Sequence, residues 1–373
     1  MVTSSHKVLF LTNIPSPYMV DFFNLLGKKI ELTVVFERGQ SAERNSNWRK
    51  FKFKNFIGFI LKGLPTSPDS AFSPSVITHL FKKFDFIFIS NPTTPTGILA
   101  IIILKLFRKK YVIFSEGAYP NSNRNIREFI KQIVLSNAWY YFSGNPSNDS
   151  YFFKYNKQAK IIRFPFSSVS SQEIVSVNDK ILLKQKFIIE FGYQLYNRIA
   201  IMVGRFIPLK KFDLVIRSWV NVSSKNLLLL IGEGPELINY QKIIKDNNLT
   251  NVKILPFQPK LSLDKFYILS DFLIHPTSYD VWGLIINEAF AKGTPVLTTH
   301  NCLAAEVMLK DKKNGKFIDF KSKNFIDEVN VFFDYNELIM KNFSYEALVT
   351  AGEYTLEKMV EVHLNFMSNW RIL

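Results

Sequence analysis

The stretch Asp271–Val296 (DFLIHPTSYDVWGLIINEAFAKGTPV) constrains the fold of this chain more than any other. Its apolar start predicts a buried strand that a proline stops, and the segment from Gly283 to the next glycine predicts a helix. Asp280 then lies in the loop before this helix, and Glu288 lies on its second turn. Both acids border the helix N-terminus, where unpaired backbone N–H groups favour an anionic ligand. This stretch therefore predicts a site for a sugar attached to a phosphate.

Apolar runs typical of buried strands alternate with helical segments along the rest of the chain. The predicted strands are Lys7–Thr12, Ile30–Phe36, Phe84–Ser90, Tyr111–Phe114, Tyr140–Gly144, Lys160–Phe164, Arg198–Val203, Leu227–Ile231 and Asn251–Leu255. Strands and helices that alternate in this way predict an α/β fold with parallel sheets. No GxGxxG motif follows the first strand, which argues against a dinucleotide-binding domain.

The length of 373 residues is sufficient for two domains, each with its own core. A segment rich in Ser and Val, without helical periodicity, follows the strand predicted at Lys160–Phe164. We therefore predict a first domain over residues 1–178 and a second over 179–350. The apolar spacing between Tyr345 and Trp370 predicts a terminal helix, and residues 351–373 are assigned to it as a separate segment.

The whole chain has a net formal charge of +16, and most of this charge lies in its first half. Residues 1–180 contain 24 Lys and Arg against 11 Asp and Glu, a surplus of 13, whereas residues 181–373 contain 23 against 20, a surplus of 3. The polar segment 37–55 is predicted to be a loop. An anionic membrane surface would use this surplus, at on the order of 1 kcal/mol per nearby cation. A nucleic acid would use it too, and a merely solvated, lysine-rich surface is the third interpretation.

The sequence favours a cytoplasmic protein. Its single cysteine, Cys302, excludes an internal disulfide and a multi-cysteine metal site. The start of the chain has a short apolar core and no small-residue cleavage site, so we expect no signal peptide. The apolar run from Gly97 to Phe107 contains Lys105 and is shorter than the about 20 residues that a spanning helix needs, so we predict a buried helix.

Three further strand ends carry polar or glycine residues suited to a ligand. Gly204 and Arg205 follow one strand, with Lys210 five positions after the arginine, and two fixed cations suit a diphosphate. Gly232 and Gly234 follow the next strand, where glycine lets the backbone approach a ligand. Ligands bind beyond the carboxyl ends of strands in open α/β sheets, which also makes Glu116 a candidate, although a surface acid bonded to nearby backbone is an equal alternative.

Two other residues near these strand ends are predicted to have no catalytic part. His275, at a strand end beside a proline, is interpreted as a hydrogen-bonded structural histidine. Cys302 is interpreted as a small residue near the rim of the site.

Four segments in the second half resemble, in order and spacing, the family 4 retaining glycosyltransferases. They are GRFIPLKKFDLVIRSW (Gly204–Trp219), GEGPEL (Gly232–Leu237), the strand before Pro256-Phe257, and HPTSYDVWGLIINEAFAKGTPV (His275–Val296). The resemblance implies the GT-B fold, in which two Rossmann-like parallel-sheet domains face each other across a cleft and a C-terminal helix crosses back to the first domain. The IPSPY and FPFSS turns resemble the branch of this family that builds bacterial surface polysaccharides.

The resemblance also implies roles for individual residues. Arg205 and Lys210 would hold the donor diphosphate, Glu288 would bind the ribose hydroxyls of the nucleotide, and Asp280 would contact the donor sugar. The predicted catalytic set is Asp280, Glu116, Arg205 and Lys210. The predicted donor-binding set is Gly204, Arg205, Lys210, Gly232, Gly234, Trp282, Gly283, Leu284 and Glu288, in which Gly283 and its neighbours would offer backbone N–H groups to the phosphate.

The chain departs from the family pattern at three positions. Asp280 replaces the usual, longer glutamate, Lys211 stands where glycine is common, and Glu116 lies near the place of a histidine that faces the donor sugar.

The predicted function is transfer of a sugar, with retention, from a nucleotide diphosphate donor, a UDP-sugar in the first instance. The acceptor would be lipid-linked or a growing polysaccharide of the cell surface, and the enzyme would associate peripherally with the inner, anionic face of the membrane. Because the chain has no Asp-x-Asp pair, we expect neither a metal site nor another cofactor. The alternatives are a sugar-nucleotide epimerase of the same fold and, from another class, a basic nucleic-acid-binding protein, for which no recognisable module is present.

Overall fold

The computed structural model of the protein describes residues 6–41, 52–118 and 126–369. The chain forms two compact units. The first comprises Met1–Ser168 and Leu356–Leu373, and the second comprises Val169–Thr355. Of the basic segment predicted as a loop, residues 42–51 lie outside the described part of the chain.

The first unit is built on a seven-stranded parallel sheet of order β3-β2-β1-β6-β7-β8-β9, with β4 and β5 as a separate antiparallel pair. Its strands are β1 Lys7–Thr12, β2 Glu31–Phe36, β3 Ile57–Ile60, β4 Leu64–Pro65, β5 Ala71–Phe72, β6 Phe86–Ile89, β7 Val112–Ser115, β8 Tyr140–Ser143 and β9 Ile161–Arg163. Its helices are α1 Pro17–Leu26, α2 Val76–Leu80, α3 Pro95–Leu106, α4 Ile126–Leu135, α5 Pro146–Tyr155 and, from the end of the chain, α14 Leu356–Asn369.

The second unit is built on a six-stranded parallel sheet of order β12-β11-β10-β13-β14-β15. Its strands are β10 Arg198–Val203, β11 Asn226–Ile231, β12 Val252–Leu255, β13 Phe272–His275, β14 Val296–Thr298 and β15 Gly315–Phe317. Its helices are α6 Val177–Glu190, α7 Phe212–Ser218, α8 Leu237–Asp246, α9 Lys260–Leu269, α10 Leu284–Ala291, α11 Leu303–Met308, α12 Phe325–Asp334 and α13 Glu337–Glu353.

Both sheets have the doubly wound order, in which the chain adds strands first on one side of the starting strand and then on the other. Every residue of β10, β11 and β13 is buried, which is why these strands are continuous apolar runs in the sequence. No helix within the described residues combines the length and apolar character needed to cross a bilayer.

The division into units differs from the predicted domain boundaries. The first unit ends at Ser168 and not at residue 178, because the segment after it is bonded to the second unit. Val175 N donates to Ala291 O at 3.0 Å, and Glu173 pairs with Lys260 at 2.8 Å.

The predicted terminal helix is two helices in the structure. Helix α13 ends at Glu353 and α14 begins at Leu356, with Tyr354 outside the helical region (φ −121°, ψ 74°). The Tyr354 hydroxyl donates to Val307 O at 3.2 Å, which fixes the break. The predicted end at Trp370 lies outside the described residues. Because α14 belongs to the first unit, the prediction that the chain returns to its first domain is correct, but the returning helix starts at Leu356.

Helix α14 places His363 in the aromatic core of the first unit. The ring centroid of His363 lies 4.6 to 6.1 Å from those of Phe10, Phe22, Phe88, Phe114, Phe142 and Phe164. Its Nδ1–H donates to Met359 O at 2.7 Å, whereas Nε2 has no partner among the described residues. Burial lowers the pKa of His363 from 6.5 to about 4, so the ring is neutral at pH 7.

We expect His363 to make the stability of the protein pH-dependent. Its pKa is lower in the folded state, so the unfolded chain binds more protons between pH 6.5 and about 4, and stability falls as the pH falls through this range. The loss amounts to roughly 3 kcal/mol at 1.36 kcal/mol per pKa unit. In urea unfolding followed by circular dichroism, His363→Leu should show a weaker dependence on pH than the wild type.

The exposed His300 supplies the control for this measurement, and His300→Leu should retain the wild-type dependence. Equal pH dependence of the wild type and His363→Leu would contradict the assignment.

Candidate active site

The candidate site lies where the strand order of the second unit reverses. Strands β10 and β13 are neighbours, but the chain leaves β10 toward β11 on one side and β13 toward β14 on the other. The loops beyond their carboxyl ends therefore flank a crevice, the usual ligand position in such sheets. Ser278 N donates to Leu209 O at 3.0 Å and ties the two loops together.

The two predicted cations follow β10 in the chain and lie in different environments. Arg205 is exposed, whereas Lys210 is half-buried at the end of a short 3₁₀ turn, Pro208–Lys210. Lys211 then adopts the left-handed conformation (φ 55°, ψ 31°) before α7 begins. This backbone geometry gives a physical reason for the glycine that is common there in the family that the sequence resembles.

Asp280 is the centre of a hydrogen-bonded cluster. Its Oδ2 accepts from Lys210 Nζ at 2.6 Å and from His275 Nε2 at 3.1 Å. Burial of the Asp280 carboxyl raises its pKa, but the His275 hydrogen bond and the Lys210 charge outweigh burial and hold the pKa below its usual value. The predicted sugar-contacting acid and one predicted diphosphate cation are thus directly paired.

His275 is a structural donor, as the sequence suggests, and it bonds to a predicted site residue. Burial lowers its pKa, so the ring is neutral and Nε2–H donates to Asp280. Its Nδ1 has no partner among the described residues.

Cys302 lies inside this cluster and not at the rim of the site. His275, Asp280 and Cys302 offer ligand atoms within 4.8 Å of one another, a combination that could hold a metal ion. However, Cys302 is fully buried, its Sγ donates to Trp282 O at 3.0 Å, and burial raises the pKa of the thiol. The Asp280 oxygen already accepts from two donors. These atoms are therefore satisfied as a hydrogen-bonded cluster.

Helix α10 begins where the sequence predicts. Gly283 precedes it with φ 97°, and a Cβ at this position would lie 2.5 Å from Cys302 Sγ, so both conformation and space require glycine. Leu284 is the first helical residue. The Trp282 side chain is buried and its Nε1–H donates to Asn287 Oδ1 at 2.9 Å, so contact between Trp282 and a ligand stays a prediction.

Glu288 is the fifth residue of α10 and lies partly buried. Its Oε2 accepts from the Tyr267 hydroxyl at 3.1 Å. Burial raises the pKa of Glu288, whereas the Lys260 charge and the Tyr267 hydrogen bond act in the opposite direction. Tyr267 was not predicted from the sequence; the available signal was a tyrosine within an apolar buried helix, since a buried hydroxyl needs a partner.

Gly232 and Gly234 have a packing role in the structure. A Cβ on Gly232 would lie 1.9 Å from Gly204 O, and one on Gly234 would lie 2.5 Å from Phe206 O. The same loops are joined by Phe206 N donating to Glu233 O at 2.7 Å. These glycines let the loop after β11 pack on the loop after β10, and their contact with a ligand stays a prediction.

Glu116 lies in the first unit, directly after β7, and the other predicted site residues lie in the second. It is half-buried, and its backbone carbonyl accepts from Asn145 Nδ2 at 3.2 Å.

Comparison with known protein families finds a match that lies within the second unit. Residues 186–347 match the family of glycosyl transferases group 1. An uncharacterised glycosyltransferase of Methanocaldococcus jannaschii is 23% identical over 211 residues, covering 53% of this chain and 59% of the relative. The lipopolysaccharide core biosynthesis glycosyltransferase LpsE of Rhizobium meliloti is 24% identical over 175 residues, covering 46% and 50%. The chain thus spans about half the length of these curated relatives.

Solved structures extend the likeness to the whole chain. A glycosyltransferase from Rickettsia africae superposes with a TM-score of 0.77 at 13% identity and covers 98% of both chains. HepE of Anabaena in complex with UDP superposes with a TM-score of 0.74 at 14% identity, covering 98% of this chain and 100% of HepE. The chain has the GT-B fold, which confirms the predicted fold class.

We expect the Lys210–Asp280 pair to stabilise the second unit. Lys210→Met leaves a largely buried carboxylate with one donor fewer, which should cost about 1–3 kcal/mol at pH 7. The pKa of Asp280 is lower in the folded state, so its contribution is present above the unfolded pKa of about 4 and lost as the pH falls further. In urea unfolding, the difference in unfolding free energy between the wild type and Lys210→Met should therefore be larger at pH 7 than at pH 3.

Two variants test whether the pair is responsible. The double variant Lys210→Met/Asp280→Asn removes both charges and should recover most of the loss. The more exposed pair Lys265–Glu190, at 2.7 Å, is the control, and Lys265→Met should cost less than about 1 kcal/mol. A loss in Lys210→Met that the double variant does not recover would contradict an ionic origin.

Proposed function

We propose that this protein is a retaining glycosyltransferase that moves a sugar from a nucleotide diphosphate donor, a UDP-sugar, to a lipid-linked or polysaccharide acceptor. The pathway would be the synthesis of a cell-surface polysaccharide such as O-antigen or capsule. Support comes from the match of residues 186–347 to group 1 glycosyl transferases and from relatives such as LpsE, whose name places it in lipopolysaccharide core synthesis.

The observation that carries this proposal is the arrangement at the strand-order reversal of the second unit. Arg205 and Lys210 follow β10, and Asp280 and the N-terminus of α10 follow β13, so cations, helix N–H groups and an acid border one crevice. Glu288 lies one turn further along α10. With a diphosphate held by the cations and the helix N-terminus, Asp280 would contact the sugar and Glu288 the ribose, as the family resemblance implies.

The chemistry requires stabilisation of a leaving group. Cleavage of the anomeric C–O bond leaves negative charge on the diphosphate, and positive charge develops on the sugar. Lys210, Arg205 and the helix N–H groups would stabilise the former without a metal, since they are already oriented in the folded protein. The Asp280 carboxylate, which is ionised at pH 7, would face the latter. In the structure Lys210 is paired with Asp280, so donor binding would bring the diphosphate to Lys210 as a second anionic partner.

We expect Glu288→Ala to abolish detectable UDP binding in isothermal titration calorimetry, because it removes the acceptor for the ribose hydroxyls. Glu353→Ala is a control on the last turn of α13, where the side chain is exposed, and it should bind UDP like the wild type. Unchanged UDP affinity in Glu288→Ala would refute the assignment of Glu288.

Analysis of products separates the proposed transfer from epimerisation. A transferase consumes the donor only when an acceptor is present, apart from slow hydrolysis, whereas an epimerase releases a changed sugar without one. A panel of UDP-sugars, first ranked by thermal shift, supplies the donor for this assay.

We also propose that the first unit associates with the inner, anionic face of the cell membrane. Support comes from an exposed patch at the ends of α2 and α3, here called the α2–α3 patch. Phe81, Leu106 and Phe107 are 49%, 72% and 52% exposed, and the Phe81 and Phe107 ring centroids lie 4.8 Å apart. The basic residues that directly follow Phe81 and Phe107 in the chain are Lys82, Lys83, Arg108, Lys109 and Lys110, and Lys109 Nζ lies 5.2 Å from the Phe81 ring centroid. Apolar side chains beside several cations complement acyl chains beneath anionic headgroups.

Vesicle flotation tests this association. The wild type should float with phosphatidylcholine vesicles that contain about 30% of the anionic lipid phosphatidylglycerol. It should float less with phosphatidylcholine alone or at high salt. Changing Phe81, Leu106 and Phe107 together to Ser should reduce flotation several-fold, because the inserted apolar area is lost.

Leu195 and Ile238 are exposed apolar residues of the second unit and provide the control. Their change to Ser should leave flotation unaltered. Flotation that is insensitive to both salt and the α2–α3 patch variant would refute this surface.

A further inference from the structure

Tyr267 is a completely buried residue of α9 whose hydroxyl points at Glu288. The hydroxyl donates to Glu288 Oε2 at 3.1 Å, and the Tyr267 side chain has no exposed surface. Burial and the nearby Glu288 charge raise the pKa of Tyr267 well above its usual value, so the phenol keeps its proton and acts as the donor. The phenol is therefore the donor, and one defined oxygen of the acid is the acceptor.

The position of Tyr267 is fixed from its backbone as well. Thr294 Oγ1 donates to Tyr267 O at 2.6 Å, and the buried Lys180 donates to the same Thr294 hydroxyl at 2.7 Å. Thr294 follows α10, so this bond links the end of α9 to the helix that carries Glu288. The donor and the acceptor are thus held on two helices that cannot shift independently without breaking buried hydrogen bonds.

The hydroxyl has a use beyond packing. The neighbours Phe266, Ile268 and Leu269 are apolar and buried, so an aromatic ring alone would fill this part of the core. A buried hydroxyl without a partner would be destabilising, and here the partner is a carboxylate. A carboxylate has about four lone-pair sites, so one donor restricts its rotation and leaves sites for the hydroxyls of a ligand.

The charges around Glu288 oppose one another. Burial raises its pKa and the acids Asp264 and Glu173 act in the same direction, whereas Lys260 and Tyr267 lower it. Lys260 is shared, since it also pairs with Glu173 at 2.8 Å. Tyr267 bonds directly to the Glu288 carboxylate and favours its ionised form.

We propose that Tyr267 is a positioning residue for the nucleotide site, holding the Glu288 carboxylate in the one orientation that accepts both ribose hydroxyls of the donor. This inference rests on the proposed function, because it assigns Tyr267 a role through Glu288. It identifies a residue outside the donor-binding motifs as a determinant of donor affinity.

The test is Tyr267→Phe, which removes the hydroxyl and keeps the ring. UDP affinity, measured by calorimetry between pH 5 and 8, should fall about three- to tenfold at pH 7.5, as expected for loss of one oriented hydrogen bond. The acid limb of the affinity profile should also move to higher pH, because Glu288 loses a group that favours its ionised form. With a UDP-sugar that turns over, the KM should rise more than kcat falls.

Tyr240→Phe is the matched control. Tyr240 is equally buried, in the same unit, and its hydroxyl has no hydrogen-bond partner among the described residues. This variant should retain the wild-type affinity and pH profile. Equal losses in both variants would show a general packing effect and overturn the inference.

UDP binding by the wild type and by Glu288→Ala distinguishes failure of the proposed function from failure of the role assigned to Tyr267. If the wild type does not bind UDP, the proposed function fails. If the wild type binds UDP, Glu288→Ala does not, and Tyr267→Phe has the wild-type affinity at every pH, then the positioning role of Tyr267 alone is refuted.

Discussion

The ion pair between Lys210 and Asp280 is the contact on which the candidate site depends. It joins two loops that are 70 residues apart in the chain but follow neighbouring strands of the sheet. The parallel pairing of β10 and β13 brings their carboxyl ends to one edge, and the reversal of strand order there keeps helices out of the space between the loops. A shift in the register of the central strands would separate the pair. The site therefore depends on the core of the sheet beneath it.

The two acids of this site have opposite electrostatic environments although they are only eight positions apart. Asp280 accepts from a lysine and a neutral histidine, and these partners hold its pKa below the usual value despite burial. Glu288 accepts from a phenol, and burial raises its pKa. One acid is thus firmly ionised, whereas the ionisation of the other depends on its surroundings. In the proposed mechanism this division suits a fixed charge near the sugar and a hydrogen-bond acceptor near the ribose.

Buried polar groups fix the positions of helices in both units. In the second unit Lys180, Thr294 and Tyr267 form a chain of bonds that fixes α9 against α10. In the first unit His363 fills the centre of an aromatic core, and its neutral ring lets a helix from the end of the chain pack against strands from its beginning. Such groups specify position because each has few acceptable partners, whereas apolar contacts are more tolerant.

The sequence by itself determined the α/β class, the central strands of both sheets and the helix that carries Glu288. Their signals are local: continuous apolar runs, a glycine before a helix and a proline after a strand. It also predicted the GT-B fold, which is implied by the resemblance of four segments to a known family of glycosyltransferases. Local patterns could not give the break at Tyr354 or the boundary at Ser168, because each is fixed by bonds to residues distant in the chain.

The same limit applies to the site. Residue type, spacing and the family resemblance predicted Asp280, Lys210 and Glu288 as site residues, but not the residues that they bond to in the structure. That His275 and Lys210 share one oxygen of Asp280, that Cys302 lies inside the cluster, and that Tyr267 reaches Glu288 depend on which strands pair and which helix packs where. The sequence determined which groups are present and where the central strands and the helix that carries Glu288 lie. Tertiary structure decided which groups meet, because hydrogen bonds and pKa shifts act over a few ångströms that only the folded chain defines.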